Sequence, residues 1–190
     1  MNIFPRKTRG TFNMKKLTVK DLTNIALMSA VMAICSWLTV PFTVPFTMQT
    51  FAIFFALKYL GGKKGTIAIV LYILLGAVGL PVFSGFTGGF GHLAGPTGGY
   101  ILGFIASGII FCIFESLTSE RSVADFILQI VCLIACYALG TLWFSHVTGT
   151  AFFAALGVCV LPFIIPDVLK IVLANIVAGR LNKSRISKAD

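Results

Sequence analysis

The sequence predicts an all-α membrane protein: a bundle of six transmembrane helices with both termini in the cytoplasm. Three observations predict it. The first is composition. Of 190 residues, 57% are hydrophobic and 11% are charged, and the mean hydropathy is +0.97. Ordinary soluble domains carry about 25% charged residues, so the solvent for this much apolar surface is a bilayer. The second is the shape of the apolar runs. They are long and do not alternate with a period of two, which argues for helices and against an outer-membrane barrel. The third is the spacing of Lys and Arg between those runs, taken up below.

A bilayer-spanning helix needs about 20 mostly apolar residues, with a range of roughly 17 to 25. The first candidate covers residues 22–38. The second, 47–60, is short and therefore tilted or shielded by protein. The third covers 66–82, the fourth 98–117 and the fifth 124–144. The sixth lies within 151–181, a run too long for one straight span; Pro162 and Pro166 inside it predict a break. The chain thus divides into a basic cytoplasmic tail (1–20), a six-helix transmembrane domain (21–181) and a second basic tail (182–190). The first tail lacks the short apolar core and small-residue cleavage site of a signal peptide.

Charge then assigns sides. The N-terminal tail holds Arg6, Lys7, Arg9, Lys15, Lys16 and Lys20, the link after the second span Lys58, Lys63 and Lys64, and the C-terminal tail Arg180, Lys183, Arg185 and Lys188. The link after the fourth span is mixed, with Glu115, Glu120, Arg121 and Asp125. The other three links, 39–46, 83–97 and 145–150, contain no Lys or Arg. The positive-inside rule puts those three outside and both termini inside. Basic ends beside membrane spans point to anionic lipid before nucleic acid.

Several function classes find no support. There is no G-x-x-x-x-G-K-[ST] phosphate loop for ATP hydrolysis. The five cysteines are odd in number, lie in apolar runs and lack metal-like spacing, so they read as small buried hydrophobes. Asn182-Lys183-Ser184 matches a glycosylation sequon by chance, on a tail expected in the cytoplasm.

The residues that can carry chemistry are few. Asp167 lies inside the sixth apolar run, three residues before Lys170, on the same helix face. An ionisable side chain in the membrane costs roughly 2.5–3.5 kcal/mol on insertion scales. The two can simply neutralise each other, or can line a polar ligand site near the outer leaflet. Desolvating two charges is a poor reason for structure alone, since a hydrophobic pair often does as well. Gln49 and Thr43 sit at the outer end of the first two spans, and an amide there needs either a neighbouring helix or a ligand. The stretch GGFGHLAGPTGGY (88–100) has six glycines in thirteen residues. It is either a flexible outer loop with a GxxxG packing face or a lid over a small, partly apolar molecule. Its candidate contacts are Phe90, Gly91, Thr97 and Tyr100, while His92 can merely satisfy a loop carbonyl. In the first span, Ala26, Ala30 and Ala33, with Ser29, recur at spacings that let another helix approach. That helix belongs either to this bundle or to another subunit.

The stretches VPFTVPFTMQTFAIFFA, LYILLGAVGLPVFSG, GGFGHLAGPTGGYILGF and PDVLK resemble the biotin-specific substrate-binding subunits (BioY type) of energy-coupling-factor vitamin transporters. The resemblance covers about residues 22–180, and GPTGGY followed by a late PDxxK is its specific part. It implies a non-enzymatic subunit of a bacterial inner membrane that captures biotin from outside with high affinity. Biotin is then cargo and no cofactor is implied. The partners are a transmembrane coupling protein and two ATPases, and Ala26 and Ala30 match the helix-one pattern that docks the coupling protein. The site is roofed by 39–49 and 83–100, and Asp167 and Lys170 match the family's late charged pair. Asp167 then accepts ureido N–H groups, and Gln49, Tyr100 or a loop amide meets the ureido carbonyl. Phe90 and neighbouring aromatics cover the thiophane ring, and Lys170 either pairs with the biotin carboxylate or holds Asp167 ionised. Other readings of the residues are the same fold with another vitamin, an intramembrane enzyme using Asp167 with His92 or His146, and a structural subunit without ligand.

Overall fold

The computed structural model describes residues 17–41, 44–118 and 122–186; Thr43 falls outside them. Helix α1 (Val19–Trp37) begins at a capping box in which Thr18 and Asp21 satisfy each other's backbone N–H. A short antiparallel hairpin follows, β1 (Thr39–Val40) on β2 (Phe46–Thr47). Two residues a strand are too few to leave a periodic signal, and an all-α expectation misses them. Helices α2 (Gln49–Leu60) and α3 (Gly62–Ala77) meet at Gly61, whose φ of 81° only glycine takes easily. A 3-10 turn (Ser84–Phe86) and the short α4 (Phe90–Ala94) lead into α5 (Gly98–Thr118) and α6 (Ser122–Thr148). Helices α7 (Phe152–Cys159) and α8 (Ile164–Ile186) complete the described chain.

Among the described residues, α1, α5 and α6 are each long and apolar enough to cross a membrane, and the α7–α8 pair makes a fourth candidate. The other two expected spans fall on α2 and α3, whose 12 and 16 residues are short for a crossing. The third expected span is displaced. Its helix starts four residues earlier, at Gly62, and stops at Ala77, because Gly79 and Pro81 cannot continue it. The expected break in the sixth run is present, and α7 and α8 are bent by 52° across it. It falls at Pro162 only. Pro166 sits in the first turn of α8, where its missing N–H costs nothing.

Helix α5 lies along α6, and α2 is wedged between α1, α3 and α8. Fully buried Met32, Ile53, Phe54, Leu57, Ile69, Tyr72 and Ile171 fill the centre. Small groups bring helices close. Ser29 Oγ donates to Ala68 O (2.9 Å), and Ser107 Oγ to Cys132 O (2.8 Å). The α5–α6 seam is interlocked at the end that carries Tyr100 and Trp143. A Cβ on Gly140 would lie 2.2 Å from the Tyr100 ring, and one on Gly99 would lie 2.2 Å from Trp143 Cβ. Outward, Leu27, Ile34, Leu74, Ile109, Ile113 and Leu142 are exposed, which suits a lipid solvent.

The ends of the bundle differ. At one end Lys64 pairs with Asp21, Lys58 pairs with Asp125, and Glu115 accepts from the Gly62 N–H at the start of α3. Asn182 of α8 lines a cleft there beside Lys58, Glu115 and Asp125. The start of α1, the α2–α3 link and the late part of α8 therefore share this end. Two of the links without Lys or Arg, 39–46 and 83–97, border a cavity lined by Val44, Pro45, Ser84, His92 and Thr97.

Candidate functional site

The break before α8 creates the site's centre. Asp167 falls in the first turn of α8, where exposed backbone N–H groups favour a carboxylate, and one turn brings Lys170 beneath it. Lys170 Nζ donates to Asp167 Oδ1 (2.8 Å) and to Thr47 O of the hairpin (2.7 Å), and lies 3.8 Å from the centre of the Phe46 ring. Tyr137 of α6 donates its hydroxyl to Asp167 Oδ2 (2.6 Å). Asp167 and Lys170 are 5% and 6% exposed, so the pair is desolvated and its attraction little screened. Each carboxylate oxygen has one donor and can accept another. One Lys170 N–H remains beyond its two oxygen partners.

Gln49 is the first residue of α2. Its Nε2 donates to Tyr72 Oη (3.0 Å), and Tyr72 in turn donates to Val82 O (3.0 Å), which leaves the Gln49 carbonyl as an acceptor. Tyr100, on the first turn of α5, shares a hydrogen bond with Thr141 (3.1 Å). Asp167, Lys170, Gln49, Thr97 and Tyr100 all line one cavity. Its apolar wall includes Ile101, Phe104, Leu133 and Phe163. The enclosed space is about 70 Å³, against roughly 300–1,000 Å³ for sites that hold drug-sized ligands. Its walls must therefore move apart to admit such a molecule.

The roof is the glycine-rich segment, and it is tethered. Trp37 Nε1 donates to Pro81 O (2.8 Å) and Trp143 Nε1 to Gly95 O (2.9 Å), one indole at each end. Between them the chain doubles back from Phe83 to Thr87, where Phe83 N donates to Thr87 O (2.9 Å). His92 stacks on Phe83 with ring centres 5.2 Å apart, and it lines the cavity. Phe90 and Gly91 do not. The short α4 turns Leu93 into the core and leaves Phe90, 75% exposed, on its outer side. The aromatic rings that do line the cavity are His92, Tyr100, Phe104, Tyr137 and Phe163. His146 is outside the lining, and Thr43 lies outside the described residues. Ala26 and Ala30 are exposed on the outer face of α1, whereas Ser29 and Ala33 face inward. The small-residue pattern thus serves two different faces.

Sequence reasoning missed Tyr137 and the Thr47 carbonyl. A tyrosine within an apolar run was a usable signal, because its hydroxyl must find a partner. A backbone carbonyl gives none.

A model of the BioY family matches residues 11–187. "Probable biotin transporter BioY" of Pyrococcus horikoshii is 36% identical over 166 residues, covering 87% of this chain and 98% of that protein. "Biotin transporter BioY" of Thermotoga maritima is 35% identical over 172 residues, covering 90% of this chain and 100% of that protein. The crystal structure of the S-component for biotin from an ECF-type ABC transporter superposes with a TM-score of 0.80 at 30% identity, covering 92% of this chain and 95% of that one.

Proposed function

The chain belongs to the BioY family, and on that premise we propose that it is the biotin-binding S-component of an energy-coupling-factor transporter. It is a transport subunit and not an enzyme. In the finer reading, six helical segments cross a bacterial inner membrane, with the short α2 shielded from lipid by its neighbours. Both termini are cytoplasmic, as the Lys and Arg of the links and tails suggest. Biotin enters from outside beneath the tethered roof and is delivered inward with a transmembrane coupling protein and two ATPases. The exposed Ala26–Ala30 face of α1 suits docking of that coupling protein.

The observation that carries the site is the buried Asp167–Lys170 pair at the head of α8, lining the cavity with Gln49, Thr97 and Tyr100. Biotin's ureido ring offers two N–H donors and one carbonyl, and its valerate tail a carboxylate. Asp167 has acceptor capacity left for ureido N–H, a charge-assisted bond in a desolvated site. Lys170 already serves Asp167 and Thr47 O, which favours its role as the partner of Asp167 over contact with the biotin carboxylate. Phe90 and Gly91, on the outer side of the roof, are not among the proposed contacts. Calorimetry with the detergent-purified chain tests the reading. Wild type binds biotin tightly and Asp167→Asn does not. A folded wild type that ignores biotin, or binds thiamine or riboflavin instead, refutes it.

A further inference from the structure

The roof holds one buried polar atom that its own packing does not use. His92 Nε2 is buried without a hydrogen-bond partner among the described residues, although the ring lines the cavity. A buried, unpaired acceptor or donor costs free energy, so a persistent one asks for an explanation. The other ring nitrogen is engaged, since Nδ1 lies 3.1 Å from Thr87 Oγ1. That contact settles the tautomer. The Thr87 hydroxyl has a single proton, and it donates this to Ser84 O (2.8 Å). Toward His92 the hydroxyl oxygen can therefore only accept, so Nδ1 carries the proton. In the neutral ring Nε2 is then a bare acceptor.

The surrounding turn is built to hold that arrangement. The bridge between Phe83 and Thr87 fixes the hydroxyl, and the Phe83 ring supports the imidazole from one face. Phe86, the one described non-glycine residue with positive φ (57°), stacks on Trp37 and so pins the turn to α1. Burial pushes the imidazole below its ordinary value, so the ring is neutral at physiological pH.

We propose that His92 Nε2 is a ligand contact that accepts an N–H of bound biotin, with Thr87 and Ser84 setting its tautomer. The inference rests on the biotin reading above and adds a residue to it. A carboxylate cannot donate, so the partner is a ureido N–H, biotin's only donor type near neutral pH. Protonation of Nε2 would turn the acceptor into a donor and remove the bond. The other titratable groups lining the cavity are Tyr100, Cys136, Tyr137, Cys159, Asp167 and Lys170.

The test is biotin calorimetry on the detergent-purified full chain between pH 5.5 and 8, for wild type, His92→Leu and His92→Gln. Glutamine reaches about as far as Nε2 and offers an acceptor that does not titrate. The inference expects wild-type affinity to be level above about pH 6.5. Below the histidine's own, lower value it falls by up to tenfold per pH unit. His92→Leu binds roughly three- to tenfold more weakly at pH 7.5, the worth of one hydrogen bond, and loses the histidine's pH step. His92→Gln recovers most of the affinity, also without the step. If His92→Leu does not fold, the wild-type profile and His92→Gln still decide. Wild-type affinity that rises as pH falls overturns the inference, because it would mean a charged ring meeting the biotin carboxylate. So does a folded His92→Leu that binds like wild type, which leaves the biotin reading intact. A folded wild type that binds no biotin overturns both.

Discussion

The Asp167–Lys170 pair can be probed for structure and function separately. The perturbation is a cycle of Asp167→Leu, Lys170→Met and the double variant. At the observed 2.8 Å, two unit charges attract by about 6 kcal/mol at an effective dielectric of roughly 20. Desolvation offsets much of that, but removing one partner leaves the other charge buried and alone, at a cost of about 3–5 kcal/mol. Removing both abolishes the charge problem. What remains is the Tyr137 hydroxyl, which loses its acceptor, and the Thr47 carbonyl, which loses its Lys170 donor, each at a cost of about 1–3 kcal/mol at most. Each single variant should therefore be less stable than the double. The assay is reversible unfolding in mixed detergent–SDS micelles, followed by calorimetry with biotin on the folded variants. The double variant should be more stable than either single variant yet bind no biotin. If the costs of the single variants simply add in the double, the pair is not coupled as its geometry requires. If the stable double variant still binds biotin, the pair is not the site's centre.

Three further outcomes follow from named contacts. Gly140→Ala drives a methyl into the Tyr100 ring; it should cost about 1–3 kcal/mol in thermal unfolding and weaken biotin binding, whereas Gly157→Ala, with open space around it, should cost far less in the same assay. Ala30→Phe, on the exposed face of α1, should leave biotin binding by the isolated chain within about twofold and abolish uptake by cells that supply the energising module. Normal uptake would refute the docking face. Tyr137→Phe removes one charge-assisted bond to Asp167, so biotin affinity should fall by about 1.5–3 kcal/mol, read by calorimetry; unchanged affinity would mean that Tyr137 does not orient the carboxylate.

How far the sequence could be read depended on the kind of signal. Helix α5 was legible almost to the residue, because Pro96 and the glycines before it mark its start and its apolar run is unbroken. Helix α3 was misplaced because Lys63 and Lys64 look like a link, yet they occupy its first turn and reach the charged end of the bundle. The two prolines of the last run were equally suspect from sequence. Only position relative to the new helix start separates Pro162, which breaks, from Pro166, which begins. At the site, Asp167 and Lys170 stood out because charge in an apolar run is an anomaly. Thr97, Tyr100 and Gln49 came through the motifs that hold them. Phe90 and His92 are two residues apart, and composition cannot say which of them faces inward. That depends on the phase of a five-residue helix, α4, too short to carry a periodic pattern.

The chain has only two tryptophans, and their indoles tether the two ends of the roof. Any displacement of that segment must stretch or break one of these two N–H bonds and change the polarity around the ring. The protein thus carries its own optical gauge. Intrinsic emission, read with one tryptophan replaced by phenylalanine at a time, would tell which edge of the roof lifts first, with no label attached to the molecule.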